Sequence, residues 1–519
     1  MGRHTGFCLL RLLALLLSLR VAGSSVDSVA VHQQANRPET ILSAGARSYP
    51  GSAAKSNSVR SHAPRFLLIG SLDLSGTPHS VTLHVSDPEA RPCPDEWTTE
   101  RSGFLKYRQH VNLTSPVQSS VARPASVAIA AMSDRNHENH APADSQSLSG
   151  PAELATSLES VQTNGLSEQV TRRFLVPQFH HNDTRDVLIE AKLILQTTEL
   201  QVYFGDSGHE RSGQIADPRR IGRLADLVCR LAQIDALPLV HEWIGPVTDL
   251  DQDDRLTFLL TFLDLRPVDS GIPVFGCVRP ADYALTEARD FGGDIVYLDL
   301  RAPVEELPGL LVHELTHAAI LSHHPPDHAD AEMVPGWLNE AAAHVMERQV
   351  QPNSPGFECR LADFRRTPWR CPIVANEDFL TPLERRLGTR AAGALFLSQL
   401  VSNPMEMRAV LATASHPRQW ISRISGRSTD DVLMEWWTCQ AAHCNPHDSS
   451  GTLSPRNPQV TVSLYGTSFV LIPIDPSVSS LAIESDAAAQ IQCRLLDLME
   501  PALSVARSSR VRNEGTVGQ

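Results

Sequence analysis

The chain has 519 residues, of which 42 % are hydrophobic, and a formal net charge of −14. A chain of this size and composition can bury hydrophobic cores in about two to four domains, which excludes a fibrous or wholly disordered protein. The acidic balance argues against a surface that neutralises a phosphate backbone, so we expect no nucleic-acid partner.

Residues 1–23 have the pattern of an export signal. Arg3 and Arg11 carry positive charge, Leu12–Leu19 is apolar, and Val21-Ala22-Gly23 offers small residues for cleavage. This apolar run is shorter than the roughly 20 residues that cross a bilayer, so we expect no transmembrane segment after signal removal. The sequence therefore predicts a secreted, extracellular protein, with the periplasm or the cell surface as alternative locations.

Cysteine usage agrees with export to an oxidising compartment. Cys8 lies in the predicted signal, and the eight remaining cysteines are an even number that could form disulfides. The close pairs Cys359 with Cys371 and Cys439 with Cys444 are candidates for local disulfides, although sequence does not determine the connectivity.

The N-terminal third of the chain alternates between polar and strand-like stretches. Residues 24–63 are rich in Ser, Ala, Gly and Gln and are predicted to be a disordered leader. Residues 64–112 contain strand patterns at Phe66–Gly70 and Ser80–Val85, which predict a small β-rich unit and a candidate pro-segment. Residues 113–171 have the composition of a low-complexity linker.

An α+β organisation is predicted for the rest of the chain. Residues 172–350 are interpreted as a catalytic αβ lobe, residues 351–450 as a helical lobe, and residues 451–519 as a C-terminal β module and tail. The clearest patterns are strands at Leu200–Phe204, Leu256–Leu265, Gly293–Leu300, Val460–Tyr465 and Ile491–Leu496, and helices at Ile221–Ile234, Arg390–Val401 and Asp430–Ala442.

One apolar helical stretch, Leu310–Leu321, contains the pattern His-Glu-x-x-His at residues 313–317. Four residues make about one turn of α-helix, so His313 and His317 project from one face and can chelate one ion. Glu314 lies beside them, where it can take a proton from a metal-bound water without being a ligand. The pattern predicts a catalytic zinc site.

Catalytic zinc usually has three protein ligands and one position for water. Glu340 starts a second predicted helix 23 residues after His317 and is the preferred third ligand. His323 is the alternative, because it follows His313 by ten residues, as the third histidine of metzincins does. Metzincins need a Gly three residues after the second histidine, where this chain has Ile320, and a β-branched residue tolerates positive φ poorly.

These motifs resemble the gluzincin metallopeptidases of the thermolysin-like clan, whose second motif reads Trp-Leu-x-Glu-Gly. Trp337-Leu338-Asn339-Glu340-Ala341 follows that motif except for its last residue. Weaker similarity to the hyicolysin-like branch extends over about residues 172–500. The resemblance implies a two-lobed zincin domain with a mixed sheet over the active-site helix and a helical lobe across the cleft. It also implies endopeptidase activity on peptide or protein substrates, bound along the strand at 293–299.

Two features leave alternatives open. Many gluzincins stabilise the reaction's oxyanion with a Tyr or His, but this chain has no Tyr between Tyr297 and Tyr465. A non-catalytic zinc-binding surface or interaction protein on a zincin fold is therefore the rival hypothesis. Separately, the carboxylates of Asp249, Asp251, Asp253 and Asp254 could hold Ca²⁺, although such a cluster is more commonly a solvated turn.

Overall fold

The computed structural model describes residues 65–86, 96–99, 105–112, 170–179, 184–206, 217–263, 273–284, 292–326, 333–375, 387–447, 451–486 and 490–497. The predicted signal, the leader and residues 113–169 of the linker lie outside this part of the chain. The described elements form a mixed α+β fold, which confirms the predicted class. None of the described helices combines the length and the apolar character required to cross a membrane.

Strands occur at both ends of the described chain and between residues 171 and 299. They are β1 (Arg65–Ser71), β2 (Pro78–Val85), β3 (Glu96–Thr99), β4 (Leu105–Asn112), β5 (Thr171–Phe179), β6 (Thr184–Gln196), β7 (Leu200–Gly205), β8 (Leu256–Thr261), β9 (Gly276–Cys277), β10 (Ile295–Asp299), β11 (Gln459–Tyr465), β12 (Phe469–Ile474), β13 (Ser480–Asp486) and β14 (Ile491–Asp497).

Among the described residues, two α-helices lie between residues 218 and 243, and seven lie between residues 307 and 441. In chain order they are α1 (Pro218–Leu231), continued through a π-helical turn (Ala232–Ala236) into α2 (Leu237–Trp243), then α3 (Leu307–His323), α4 (Gly336–Val350), α5 (Pro355–Arg366), α6 (Leu387–Leu400), α7 (Pro404–Leu411), α8 (Pro417–Ser425) and α9 (Thr429–Ala441).

The central six-stranded sheet has the order β5-β6-β7-β8-β10-β9. Strands β7, β8 and β10 are parallel neighbours, and every residue of β8 and β10 is buried. Alternate side chains of β10 enter different cores, with Val296 and Leu298 in the large core that also contains α3 and α4. Ile295 and Tyr297 face the core on the other side of the sheet. This alternation follows from the two-residue period of a strand.

The strand predicted at 293–299 is present as β10, but it is not the edge of the sheet. Its backbone pairs with β8 on one side and with β9, which is antiparallel, on the other. The expectation that a substrate would pair along residues 293–299 is therefore wrong. The short strand β9 occupies the edge position instead.

The strands at the two ends of the chain share two further sheets, with the orders β12-β1-β14 and β11-β2-β13-β4-β3. The sequence predicts residues 64–112 and 451–519 as separate units, whereas strand pairing joins them. Strand β1 lies between β12 and β14, with Leu67 and Ile69 in the core between the two sheets. Its alternate residues Phe66 and Leu68 belong to the large core of the αβ region. Strand β1 therefore links the β unit to the rest of the fold.

The two helices that carry the motifs lie in this large core. Helix α3 starts with Pro308 in its first turn, where a missing backbone N–H costs nothing, and its apolar residues are buried on several faces. Helix α4 starts directly after Pro335 and packs against α3. Where α3 and α4 face each other, contacts with buried neighbours therefore fix the positions of the polar side chains.

The predicted local disulfides are not formed in this structure. No disulfide joins any two of the seven cysteines within the described residues, and both predicted pairs belong to this set. Cys359 is exposed while Cys371 is buried. Cys8 and Cys93 lie outside the described residues.

Candidate metal centre

Helices α3 and α4 bring the predicted site residues to one cavity of about 540 Å³. His313, Glu314 and His317 of α3 and Glu340 of α4 all line it. Residues 273–278, which include β9, form another part of its wall, and residues of α5 and α6 complete it. The four residues predicted from the two motifs are thus neighbours in space.

The two motif histidines point their Nε2 atoms at each other, 3.2 Å apart. The other ring nitrogen of each histidine, Nδ1, contacts an acceptor on helix α4. Nδ1 of His317 lies 2.8 Å from Oδ1 of Asn339, and Nδ1 of His313 lies 3.2 Å from Oε2 of Glu347. Because both partners are acceptors, each Nδ1 carries a proton and donates it, and each Nε2 is left to face the cavity.

His344, one turn after Glu340 on α4, belongs to the same cluster. His313, Glu340 and His344 each offer a ligand atom, and these atoms all lie within 4.8 Å of one another. The His344 side chain is buried, its Nδ1 donates to Oε2 of Glu347 at 2.7 Å, and its Nε2 has no partner among the described residues. Glu347 therefore holds two imidazoles with one carboxylate oxygen.

The charges of the cluster follow from these contacts. Burial alone would raise the pKa of Glu347, but hydrogen bonds from His313 and His344 outweigh it and hold that pKa well below its usual range. Burial would lower the pKa of His313, but Glu347 and the neighbouring carboxylates raise it above its ordinary value. Burial, aided by the charge of His313, lowers the pKa of His317 to about 4. Of the two imidazoles, His313 is therefore the one that takes up a second proton more readily when no metal is bound.

Glu314 is 5 % exposed, and one of its carboxylate oxygens has no hydrogen-bond partner among the described residues. Burial raises its pKa to about 7, against an opposing effect of His313. A carboxylate with this pKa can both accept and return a proton near neutral pH.

Glu340 remains ionised at any ordinary pH. Burial would raise its pKa, but Arg390 and the imidazoles of His317 and His313 lower it far below the usual range. Nη1 of Arg390 lies 3.2 Å from Oε2 of Glu340, and that oxygen lies 3.9 Å from Nε2 of His313. A fixed anion thus lies beside Nε2 of His313.

Gly276 of β9 allows the edge strand to pass directly over Glu314. A Cβ at this position would lie 2.8 Å from Cγ of Glu314 and 2.9 Å from its Oε1, closer than such atoms approach. Only glycine leaves that space free, so the strand backbone and the carboxylate are neighbours.

Sequence reasoning did not assign roles to Asn339, Glu347, Arg360, Arg390 or Gly276. One available signal was the spacing on α4, because Glu340, His344 and Glu347 stand at i, i+4 and i+7 and so share one helix face. Asn339 stood next to the predicted ligand. Neither arginine lies in a motif, and each comes from a different helix of the 351–450 region.

His323, the alternative third ligand, does not reach the cavity. It ends α3 and lines a separate pocket of about 250 Å³ with His241, Gly245 and His324. Nε2 of His323 lies against Gly245, where an added Cβ atom would be 2.6 Å from it. The metzincin-type arrangement is therefore not supported by the position of His323.

The acidic loop considered for Ca²⁺ is held by contacts within the protein. Oxygens of Asp249, Asp251 and Asp253 lie within 4.8 Å of one another. Asp251 pairs with Arg172 at 2.9 Å, and Asp249 accepts backbone N–H groups from residues 252–254. These contacts account for the conformation of the loop.

Comparison with known proteins adds no family assignment. No model of a known protein family matches the sequence, and no curated protein matches it significantly. The interpretation of the cavity therefore rests on its residues and their geometry.

Proposed function

We propose that this chain is a zinc-dependent metalloendopeptidase of gluzincin type. His313, His317 and Glu340 would hold the zinc ion, and Glu314 would be the general base. One observation carries the proposal: two imidazole Nε2 atoms face each other at 3.2 Å, each with its Nδ1 fixed by an acceptor, beside a buried carboxylate. Such orientation of ligating histidines by acceptors is typical of metal sites.

The residues fit zinc in chemistry and in spacing. Two nitrogens bound at 2.0–2.1 Å to one tetrahedral ion lie about 3.3 Å apart, close to the 3.2 Å between the two Nε2 atoms. Two imidazoles and one carboxylate form a common donor set of catalytic zinc, and the bound ion would lower the pKa of a water to about 7.

His344 competes with His317 for the role of ligand, because its Nε2 has no partner among the described residues and it forms a group with His313 and Glu340. We assign His317, because its Nε2 is already paired with that of His313 and because Asn339 holds its tautomer independently. His344 shares its carboxylate partner with His313, so it serves the network around Glu347. The two assignments differ in which histidine is needed for zinc retention.

The protein's part in hydrolysis is then proton transfer and orientation. Glu314 accepts a proton from the attacking water as the oxygen of that water bonds to the carbonyl carbon of the substrate. Glu314 then donates that proton to the amide nitrogen as the C–N bond breaks, which yields a carboxylate and an amine. A pKa of about 7 suits a group that performs both transfers.

Arg390 is the side chain we assign to the developing oxyanion. The imidazole of His344 cannot donate from Nε2 while its Nδ1 donates to Glu347. Arg390 lines the cavity and already contacts Glu340. Its replacement with Gln should lower kcat by about 10² to 10³ when measured at saturating zinc, the usual effect of losing an oxyanion donor.

The architecture supports a cleft for an extended substrate. The sheet carrying β9 and the active-site helix α3 would form one lobe, and the helices of residues 351–441 the other. The edge strand β9 exposes backbone groups next to Glu314, so a peptide could pair with it. We also propose export of the chain, on the basis of the signal pattern in residues 1–23.

Cleavage of a fluorogenic casein by purified protein, with zinc content measured alongside, tests this function. Wild type should show chelator-sensitive cleavage, and Glu314→Gln should lose cleavage while it retains about one zinc. Zinc bound by both proteins without cleavage by either, after removal of any pro-segment, would favour the non-catalytic binding protein.

A further inference from the structure

Arg360 of α5 places its guanidinium in the wall of the cavity, near Glu347 and Glu340 but in an ion pair with neither. Its Nη1 donates to the carbonyl oxygen of Gly356 at 2.7 Å. Its Nε is buried and has no acceptor, and no ion pair joins Arg360 to another side chain among the described residues. A buried cation without an ion-pair partner is costly, so an anion from outside the chain would stabilise this site.

The charges around Arg360 also favour the binding of an anion at this site. Arg390, which also lines the cavity, adds a second positive charge nearby. Burial, and then the charge of Arg390, lower the pKa of Arg360. The nearest acids are engaged elsewhere, since Glu347 accepts from two imidazoles and Glu340 pairs with Arg390. Both carboxylates favour the charged form of Arg360, but burial and the charge of Arg390 outweigh them.

We propose that Arg360, with Arg390 beside it, forms a subsite for a carboxylate of the substrate. This inference rests on the proposed peptidase function and specifies its substrate class, a peptide with a carboxylate a short distance from the cleaved bond. The planar guanidinium suits a carboxylate because it can donate two parallel hydrogen bonds. The carboxylate can come from the C-terminus of the peptide or from an acidic side chain.

Arg348 offers a matched control. It lies on the neighbouring helix α4, and its Nε is also buried without a partner among the described residues. Its guanidinium, however, stacks on the ring of Phe357 at 4.8 Å, and it does not belong to the residues that line the cavity. Loss of Arg348 thus removes a similar buried charge without changing the subsite.

The test measures peptide binding without turnover, on the full chain loaded with zinc and carrying Glu314→Gln. Fluorescence anisotropy would compare N-terminally labelled Ala-rich peptides that end in a free carboxylate or an amide. Amidated peptides with a single Glu or Gln at each position form the second arm. We expect one carboxylate position to strengthen binding about 10- to 100-fold, as charge-assisted hydrogen bonds do.

The added variants decide whether Arg360 is responsible. Arg360→Gln should abolish the preference, Arg360→Lys should retain part of it, and Arg348→Gln should leave it intact. A preference of the first arm assigns the C-terminal carboxylate, and one of the second arm assigns an acidic side chain. Peptide binding without any carboxylate preference, or a preference that survives in correctly folded Arg360→Gln, overturns the subsite alone. Failure of every peptide to bind overturns the peptidase proposal as well.

Discussion

Replacement of Glu347 with Gln tests the network behind the metal centre. Oε2 of Glu347 accepts from Nδ1 of His313 at 3.2 Å and from Nδ1 of His344 at 2.7 Å. A neutral amide oxygen in the place of Oε2 is a weaker acceptor than a carboxylate oxygen, so both imidazoles would be held less firmly. Loss of such a partner typically lowers metal affinity about 10- to 100-fold, or about 1.4 to 2.8 kcal/mol. Because one oxygen serves two imidazoles, we expect the upper end of that range.

Competition with a chromophoric chelator at neutral pH would give the zinc Kd of Glu347→Gln and of a control, Glu358→Gln. The control removes the same charge from an exposed position on α5. We expect an unchanged Kd for the control, and recovery of cleavage by Glu347→Gln in excess zinc. A zinc Kd for Glu347→Gln within about twofold of wild type would refute the reasoning, because the histidines would then need no fixed acceptor.

Three further predictions concern other parts of the molecule. Zinc measured after gel filtration should be lost from His317→Ala and retained by His344→Ala, and the reverse result would make His344 the ligand. Burial, and then the charge of Asp251, raise the pKa of Asp294 from 3.8 to about 7, so its stabilising contribution is complete below pH 3.8 and is lost as pH rises through about 7. Asp294→Asn should therefore increase the free energy of unfolding more at pH 8 than at pH 5, by at most about 2.7 kcal/mol, and an equal gain at both would contradict this. Proteolytic cutting between residues 113 and 169 should leave the fragment containing β1 bound through gel filtration, because β1 lies between β12 and β14; separation under native conditions would show that the fragment can dissociate as a pro-segment.

Sequence reasoning succeeded where the determining interactions are local. The spacing of His313 and His317 places them on one helix face, and Glu340 follows at the start of the next helix, so the neighbourhood of three site residues could be predicted. The strands β1, β7, β8, β10 and β11 were marked by apolar runs or alternation. Whether a segment forms a helix or a strand is encoded within a few residues of chain, which is why these elements could be predicted.

Strand pairing between distant segments could not be predicted in the same way. Leu68 of β1 pairs with Leu471 of β12, and no local pattern records which of the later strands is its partner. The edge position was missed for a related reason, because β9 has only two residues and produces no periodicity. Both features depend on how elements assemble after their local structure is decided.

The same division separates the proposed chemistry from the proposed selectivity. Helix α4 supplies Glu340 and, one and two turns later, His344 and Glu347 on the same face, so its packing against α3 creates both the metal ligands and the carboxylate that orients them. The arginines that would meet the substrate come instead from α5 and α6, which no motif marks. Substitutions at Arg360 should therefore change which peptides bind without changing zinc affinity, whereas substitutions at Glu347 should do the opposite. Coupling of the two effects in a double variant would mean that the wall and the metal centre act as one unit.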